Sequence, residues 1–352
     1  MADDSGTPLR IGVVGLVHGH VAGFLNGALK RSDVQIVGIA EPDRALFDKY
    51  SKRYRLEASL YCASIEDLVS RFHPEGVVTY TNSFDHRRVV EECARYRIHV
   101  MMEKPLAVSY ADALAMQRAA DSARIHVLVN YETTWYASNK AAYDLIHSRA
   151  LGELRKVVAH DGHQGPKEIG VPPEFFAWLS DPKLNGAGAL YDFGCYGADL
   201  MTWLMNGEAP RTVTAVTAQF KPNIYPRVDD EADIILSYPS AIAILEASWN
   251  WPFNIKDMIV YGSTGTAKTI LRDKIEVRRE GQPAATTSEA TPLSAPNDDP
   301  IHYLRAIIRG EVEEGNSLSA LSTNVTVSEI LDAARQSAQR GKAVTLPLAP
   351  GE

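Results

Sequence analysis

The chain has 352 residues, 45% apolar and 23% charged, which is too long for one ordinary core and has the composition of a globular protein of two domains. No stretch approaches the roughly 18 unbroken apolar residues of a membrane helix, and a formal charge of -8 without any long Lys/Arg block argues against a nucleic-acid partner. Three cysteines (Cys62, Cys93, Cys195) without C-x-x-C spacing argue against a disulfide framework and a structural zinc site, and with the acidic, polar residues 1–8 they predict a cytoplasmic protein.

The first part alternates short β-rich runs with helical patterns. Residues 9–15, 34–40, 76–81, 98–102 and 126–129 read as strands, and 21–30, 44–54, 87–96 and 110–122 as helices. This alternation predicts an α/β fold with right-handed crossovers: a doubly wound parallel sheet of nucleotide-binding type over residues 8–130. After a helix at 138–148 come β-type runs at 154–159, 212–220, 232–238, 241–249, 258–261, 269–271 and 275–278, with helices at 190–204 and 324–340. Residues 131–347 are expected to form an α+β domain around one large, mostly antiparallel sheet with one open face, and 281–300 an exposed loop.

Open α/β sheets bind ligands at the carboxyl ends of their strands. In Gly15-Leu16-Val17-His18-Gly19-His20 a strand runs through a glycine turn into a helix, the context of a dinucleotide fingerprint whose pyrophosphate rests at the helix amino terminus. Val17 stands where the second glycine of G-x-G-x-x-G belongs and His20 at the third, with Gly19 one place early. The loop is therefore either reshaped around the phosphates or a turn that binds nothing. Glu41, ending the second strand, is placed to meet the adenosine ribose hydroxyls and repel a 2′-phosphate, favouring NAD over NADP; otherwise it only begins the turn before Asp43. Thr81, Asn82 and His86 could line the same pocket, His86 equally as a first-turn helix residue with no ligand. At Glu103-Lys104-Pro105 an apolar strand stops at a charged pair, and the proline disfavours the helical basin for Lys104.

The second domain carries Asn185-Gly186-Ala187-Gly188-Ala189-Leu190-Tyr191-Asp192-Phe193-Gly194-Cys195-Tyr196-Gly197. On a helix, Asp192, Tyr196 and Asp199 share a face. Gly194 and Gly197 each cost about 1 kcal/mol relative to alanine, so either close packing or room for a substrate and nicotinamide gains from them.

Together these motifs resemble the glucose-fructose oxidoreductase and inositol dehydrogenase family, Gfo/Idh/MocA, from about Arg10 to Leu346. The resemblance implies hydride transfer between NAD(P) and a secondary carbinol of a sugar, cyclitol or related polyol, with Glu103 and Lys104 beside the cofactor, Lys104 as the catalytic lysine and Asp192 as its helix-motif aspartate. Tyr196 stands where relatives often have histidine, and a phenol of pKa near 10 needs a nearby cation, for which Lys104 is the obvious candidate. Glu132-Thr133-Thr134-Trp135 replaces an arginine-containing pattern, which disfavours an anionic substrate and offers Trp135 as a flat surface for a sugar ring, or as a core residue. The turn at 160–167 is expected to face the cleft, making His160, His163 and Gln164 substrate ligands and His163 an alternative proton carrier. His160, Asp161 and His163 offer a metal site as the alternative, but their short spacing is unsupported by other clear ligands, so no metal is expected. Two further readings share the fold: redox-assisted elimination or hydrolysis of a glycoside with recycled NAD, and a non-catalytic ligand sensor. Trp249, Trp251 and Phe253, on or near the open sheet face, lead to the expectation of a homodimer or homotetramer.

Overall fold

The computed structural model of the chain describes residues 6–349; residues 1–5, part of the acidic start, lie outside them. Six parallel strands form the first sheet: β1 (Leu9–Val14), β2 (Val34–Ala40), β3 (Tyr61–Cys62), β4 (Gly76–Thr79), β5 (His99–Glu103) and β6 (Val127–Asn130), in the order β3-β2-β1-β4-β5-β6. The chain winds outward from β1 and then restarts at β4 on its other side. The crevice between their carboxyl ends is therefore the topological switch point of this sheet. The expected strand 34–40 and helix 44–54 are both present, the helix as Arg44–Tyr54. Two elements were not anticipated: the two-residue β3, and the helix Ile65–Phe72, which starts where the Ser64 hydroxyl accepts the Asp67 N–H at 3.1 Å.

The second sheet has nine strands, β7 (Leu154–Gly162), β8 (Thr212–Ala218), β9 (Glu231–Ser237), β10 (Ile242–Ser248), β11 (Ile255–Gly262), β12 (Gly265–Ile270), β13 (Lys274–Arg279), β14 (Thr286–Glu289) and β15 (Val344–Thr345). Their order is β14-β13-β12-β11-β7-β10-β9-β8-β15, with every pair antiparallel except β7 and β10. β14 falls inside the segment expected to be loop; all four of its residues are exposed, so no alternation marked it as a strand. Among the described residues no helix is long and apolar enough to cross a membrane.

The expected helix 190–204 is two helices, Ala189–Asp192 and Gly194–Leu204, broken at Phe193 (φ -110°, ψ -32°). Close packing accounts for its glycines. A Cβ on Gly197 would come 2.9 Å from Leu245 Cδ2 and 3.1 Å from Ala159 Cβ, and one on Gly194 2.9 Å from Ile234 Cδ1, so both let the helix lie directly on the second sheet.

One buried cluster runs without interruption from Val100 and Val127 of the first sheet, through Ile330 and Leu331 of the helix Leu321–Arg340, to Leu245 and Trp249 of the second. A second cluster covers the other face of the first sheet and includes Ile301, Leu304 and Ile307. The late helix Pro300–Ile308 thus packs back onto the first domain.

On the face of the second sheet turned away from the helices, Thr214, Ile235, Ile244, Val158 and Ile259 form one cross-strand row over five strands. Trp249 does not lie there. It is fully buried on the helix-covered side, packed on Tyr225, because the residues of β10 that share its side, Ala243, Leu245 and Ala247, all point inward. Phe253 is exposed, and Trp251 packs against Gly162.

Candidate active site

At the switch point Gly15 adopts φ +80°, and a Cβ there would come 2.6 Å from Thr81 Cγ2 and 2.9 Å from Thr81 N. Only glycine permits this approach of β1 to the strand-four turn. Glu41 is buried, its Oε2 accepting the Leu16 N–H at 2.8 Å and its Oε1 the Asp43 N–H at 2.9 Å, and burial pushes its carboxyl up. Asn82 accepts the Asp85 N–H at 3.0 Å and donates to the Asp85 carboxylate at 2.8 Å. These residues enclose a cavity of about 200 Å³ lined by Gly15, Val17, Glu41, Thr81, Asn82 and Arg88. A narrow pocket at a glycine turn with a carboxylate on the second strand fits the adenosine half of a dinucleotide.

The other glycine-loop residues do different work. Gly19 is required by an aromatic ring: a Cβ would come 2.6 Å from Phe175 on the helix Pro173–Leu179. His18 is buried against Phe175 and Trp178, at centroid distances of 4.5 and 5.3 Å, while the Trp178 indole N–H donates to the Val17 carbonyl at 3.3 Å. Burial holds the His18 imidazole neutral, well below its ordinary range. His20 Nδ1 meets Glu103 Oε2 at 2.9 Å. His18, His20 and Glu103 offer atoms within 4.8 Å of one another, but His18 Nδ1 accepts the His20 backbone N–H at 3.2 Å, which puts the proton on Nε2 and leaves no lone pair for a cation. His86 does not line the pocket. It is buried with Nδ1 at 3.1 and 3.2 Å from the Pro105 and Leu106 carbonyls, bracing the turn that follows Lys104.

Lys104 and Asp192 meet across the two domains. The lead-in to the Asp192 helix is fixed by Asp229, whose carboxylate accepts the N–H groups of Gly188 at 2.9 Å and Leu190 at 2.7 Å; a Cβ on Gly188 would collide with the Asp229 carbonyl. Lys104 Nζ donates to the Asp192 carbonyl at 2.8 Å and to its Oδ1 at 2.5 Å, and Asp192 Oδ2 accepts the Trp249 indole N–H at 3.0 Å. Burial opposes both charges, but each partner holds the other ionised: the lysine lies above its ordinary range and the aspartate below. An ammonium has three N–H donors and two are used here. Its nitrogen lies 5.0 Å from the centroid of the buried Tyr196 ring.

The cation that touches the Tyr196 oxygen is a different one. Lys256 on β11, with its side chain 10% exposed, donates to the phenol at 3.3 Å and to Glu132 Oε2 at 2.5 Å. Its cross-strand partner is Asp161, buried, with Oδ2 lacking any partner and the carboxyl pushed up to about 8 by burial. Both residues were visible in the pattern. Lys256 shares its side with Met258 and Val260, and Asp161 with Val157 and Ala159, and a charge on the apolar parity of a strand is the informative exception. His163 stacks edge-on against Phe193 at 4.8 Å and feels the charges of Asp192, Lys104 and Lys256. Burial lowers its pKa, and Nδ1 accepts the Gly165 N–H at 2.9 Å, so Nε2 carries the proton.

Three expected substrate ligands lie elsewhere. β7 extends to Gly162, so strand alternation sends His160 to the opposite face from Asp161, where its Nδ1 lies 2.5 Å from Asp257 on the open sheet surface; that carboxylate raises its pKa. Gln164 donates to the Pro252 carbonyl within the second domain. Trp135 donates to Asn130 Oδ1 at 2.9 Å and lines a separate cavity of about 390 Å³ with Trp203 and Tyr303. Asn130 in turn donates to Glu103 at 3.1 Å, so Trp135 braces the strand end that leads into Lys104.

A doubly wound domain with a pocket at its glycine turn, whose Lys104 is paired in a buried contact with Asp192 of a second domain, defines a two-domain oxidoreductase of the NAD-binding Rossmann class. Residues 9–131 match the family described as oxidoreductase family, NAD-binding Rossmann fold, and 139–268 the GFO/IDH/MocA C-terminal domain. The chain belongs to the Gfo/Idh/MocA family. Among curated relatives, trans-1,2-dihydrobenzene-1,2-diol dehydrogenase of Sus scrofa is 25% identical over 236 residues, 66% of each chain, and 2,7-anhydro-N-acetylneuraminate hydratase of Escherichia coli (strain K12) is 27% identical over 217 residues, 60% of this chain and 55% of that one. The match thus spans 66% of the length of the first of these relatives and 55% of the second. An aldose-aldose oxidoreductase from Caulobacter crescentus, solved with glycerol, superposes with a TM-score of 0.81 at 22% identity, covering 96% of this chain and 100% of that one. An inositol dehydrogenase homolog from Azotobacter vinelandii, solved with NAD+, gives 0.82 at 19% identity, covering 97% and 98%.

Proposed function

We propose that this protein passes hydride between NAD and a secondary carbinol or keto carbon of a neutral sugar, cyclitol or related polyol. The observation that carries the reading is the Lys104 ammonium, held charged by Asp192, with one N–H unspent beside the Tyr196 ring. The nicotinamide supplies the hydride chemistry when bound. The chain's own groups orient the reacting oxygen and stabilise the charge it develops, with Lys104 and Tyr196 as its donors and His163 Nε2 as a further donor for a neighbouring hydroxyl. Two lysines (Lys104, Lys256) face two ionised carboxylates (Asp192, Glu132), a balance that suits an uncharged substrate. NAD is favoured over NADP because Glu41 is part of the pocket wall, where a carboxylate would repel a 2′-phosphate, while Arg88 in the same lining is engaged by Asp85 and Glu92.

Calorimetry with NAD and NADP, followed by a polyol and keto-sugar screen read at the NADH absorbance, tests this. NAD binding with at least one substrate oxidised or reduced is expected; no binding of either nucleotide would favour the sensor. A second reading, redox-assisted elimination or hydrolysis of a glycoside with recycled NAD, is supported by Asp161, a protonated carboxyl beside the same lysines. Product without NADH accumulation would select it.

The open sheet face, with its apolar row through Ile235, Ile244, Val158 and Ile259, suits a second copy of this chain. Light scattering is expected to give a dimer or tetramer, and Ile244→Lys to shift it toward monomer. An Ile244→Lys mass equal to that of the wild type would move the interface elsewhere.

A further inference from the structure

We infer that Tyr196, Lys256 and Glu132 form a proton wire from the reacting oxygen to solvent, loaded in the direction of carbonyl reduction. The inference rests on the oxidoreductase reading above and adds how the proton reaches the site and which direction the resting arrangement serves.

The geometry is a single file. Glu132 is half-exposed, at 46%, while Lys256 is 10% exposed and Tyr196 buried, so the three step inward from water. Glu132 Oε2 accepts from Lys256 Nζ at 2.5 Å, and Nζ donates to the phenol oxygen at 3.3 Å. The Lys256 nitrogen also lies 4.5 Å from the centroid of the Tyr196 ring. Glu132 is fixed from its other side by the Tyr136 hydroxyl, which donates to Oε1 at 2.7 Å. Because Lys256 donates to the phenol, the phenol's own hydrogen points elsewhere, and no protein acceptor takes it among the described residues. Lys104 lies beside the Tyr196 ring and makes no hydrogen bond to its oxygen; both of its hydrogen bonds go to Asp192.

The donor directions set the chemistry. In reduction, NADH when bound would supply the hydride for the new C–H bond at the carbonyl carbon, and the C=O π pair would move to oxygen. That oxygen takes the phenol proton, the Lys256 N–H proton passes to the phenol oxygen, and the lysine is reprotonated from water through Glu132. One carbonyl, one NADH and one proton give one carbinol and one NAD. Oxidation runs the same file backward and must first discharge a proton at Glu132. Burial keeps the Tyr196 phenol protonated, well above its ordinary pKa, in agreement with a donor. Lys256 acts through Tyr196 and is therefore a relay and positioning residue.

The test uses the full-length protein with NADH and the keto substrate found in the screen. Lys256→Ala is expected to lower kcat for reduction on the order of 100-fold with little change in the KM for NADH. Added primary alkylamines are expected to restore turnover in the order of their basicity, which a purely structural loss would not follow, and Lys256→Arg to retain most of the rate. Glu132→Gln is expected to raise the solvent deuterium isotope effect on kcat. Carbon-13 labelling of the tyrosine ζ position gives a readout without substrate: the Tyr196 resonance, assigned with Tyr196→Phe, should shift in Lys256→Ala. Wild-type turnover matched within threefold by Lys256→Ala, amine rescue indifferent to basicity, or an unmoved Tyr196 resonance would overturn the wire alone. A wild type that transfers no hydride to any carbonyl would overturn the oxidoreductase reading and the wire with it.

Discussion

Lys104→Met is expected to lower turnover on the order of 10³-fold while leaving NAD binding within a few-fold of the wild type. The substitution keeps the length of the side chain and removes the ammonium that Asp192 holds ionised against burial. It also strips Asp192 of its cation, leaving Trp249 as the donor to its carboxylate, and breaking a buried pair from one side costs about 3–5 kcal/mol. Stability and chemistry therefore fall together, and a second variant separates them. Lys104→Met combined with Asp192→Asn is expected to recover much of the lost stability and none of the turnover. Calorimetric NAD titration shows that the first domain is intact, and steady-state kinetics reads the chemistry. Turnover within tenfold of the wild type would remove Lys104 from the reaction.

The second large effect is on stability against pH. Asp161 is buried, has an oxygen without a partner, and is pushed up to about 8 from an ordinary value of 3.8, mainly by burial. Its folded pKa lies above its unfolded one, so its contribution is fully present below about pH 4. That contribution is lost as pH rises through about 8, where the native state must give up the proton. Asp161→Asn removes this linkage. Denaturation midpoints at pH 5, 7 and 9 are expected to fall more steeply for the wild type, with the variant ahead at pH 9 by a few kcal/mol. Parallel curves for the two proteins would show that Asp161 is ionised in the native state.

Strong local periodicity made most of the first sheet legible in the sequence. β2 and the helix Arg44–Tyr54 carry enough alternating or 3.6-spaced apolar residues to define themselves. β3 is too short for any pattern, and β14 has no buried side. The helix Pro300–Ile308 had a signal, Asp299 capping a proline at its first position, lost in a segment read as loop. The pair Lys104 and Asp192 was readable because each sits in a short motif of its own. Lys256 belongs to no motif; its place depends on β11 lying beside β7, a pairing between residues far apart in sequence. His160 was misplaced for a related reason: ending β7 at residue 159 turned two neighbours on opposite sides of a strand into members of one turn.

The buried cluster shared by the two sheets also bears on how the molecule would choose among the substrates proposed above. Neither half can swing away without carrying Val100, Ile330 and Leu245 into water, and Pro300–Ile308 clamps the arrangement from behind. Unlike a hinged clamshell, which closes to the size of its guest, this protein behaves as a set calliper. On the function proposed above, selection among ring sizes and hydroxyl configurations would then fall to a gap whose width is decided at folding.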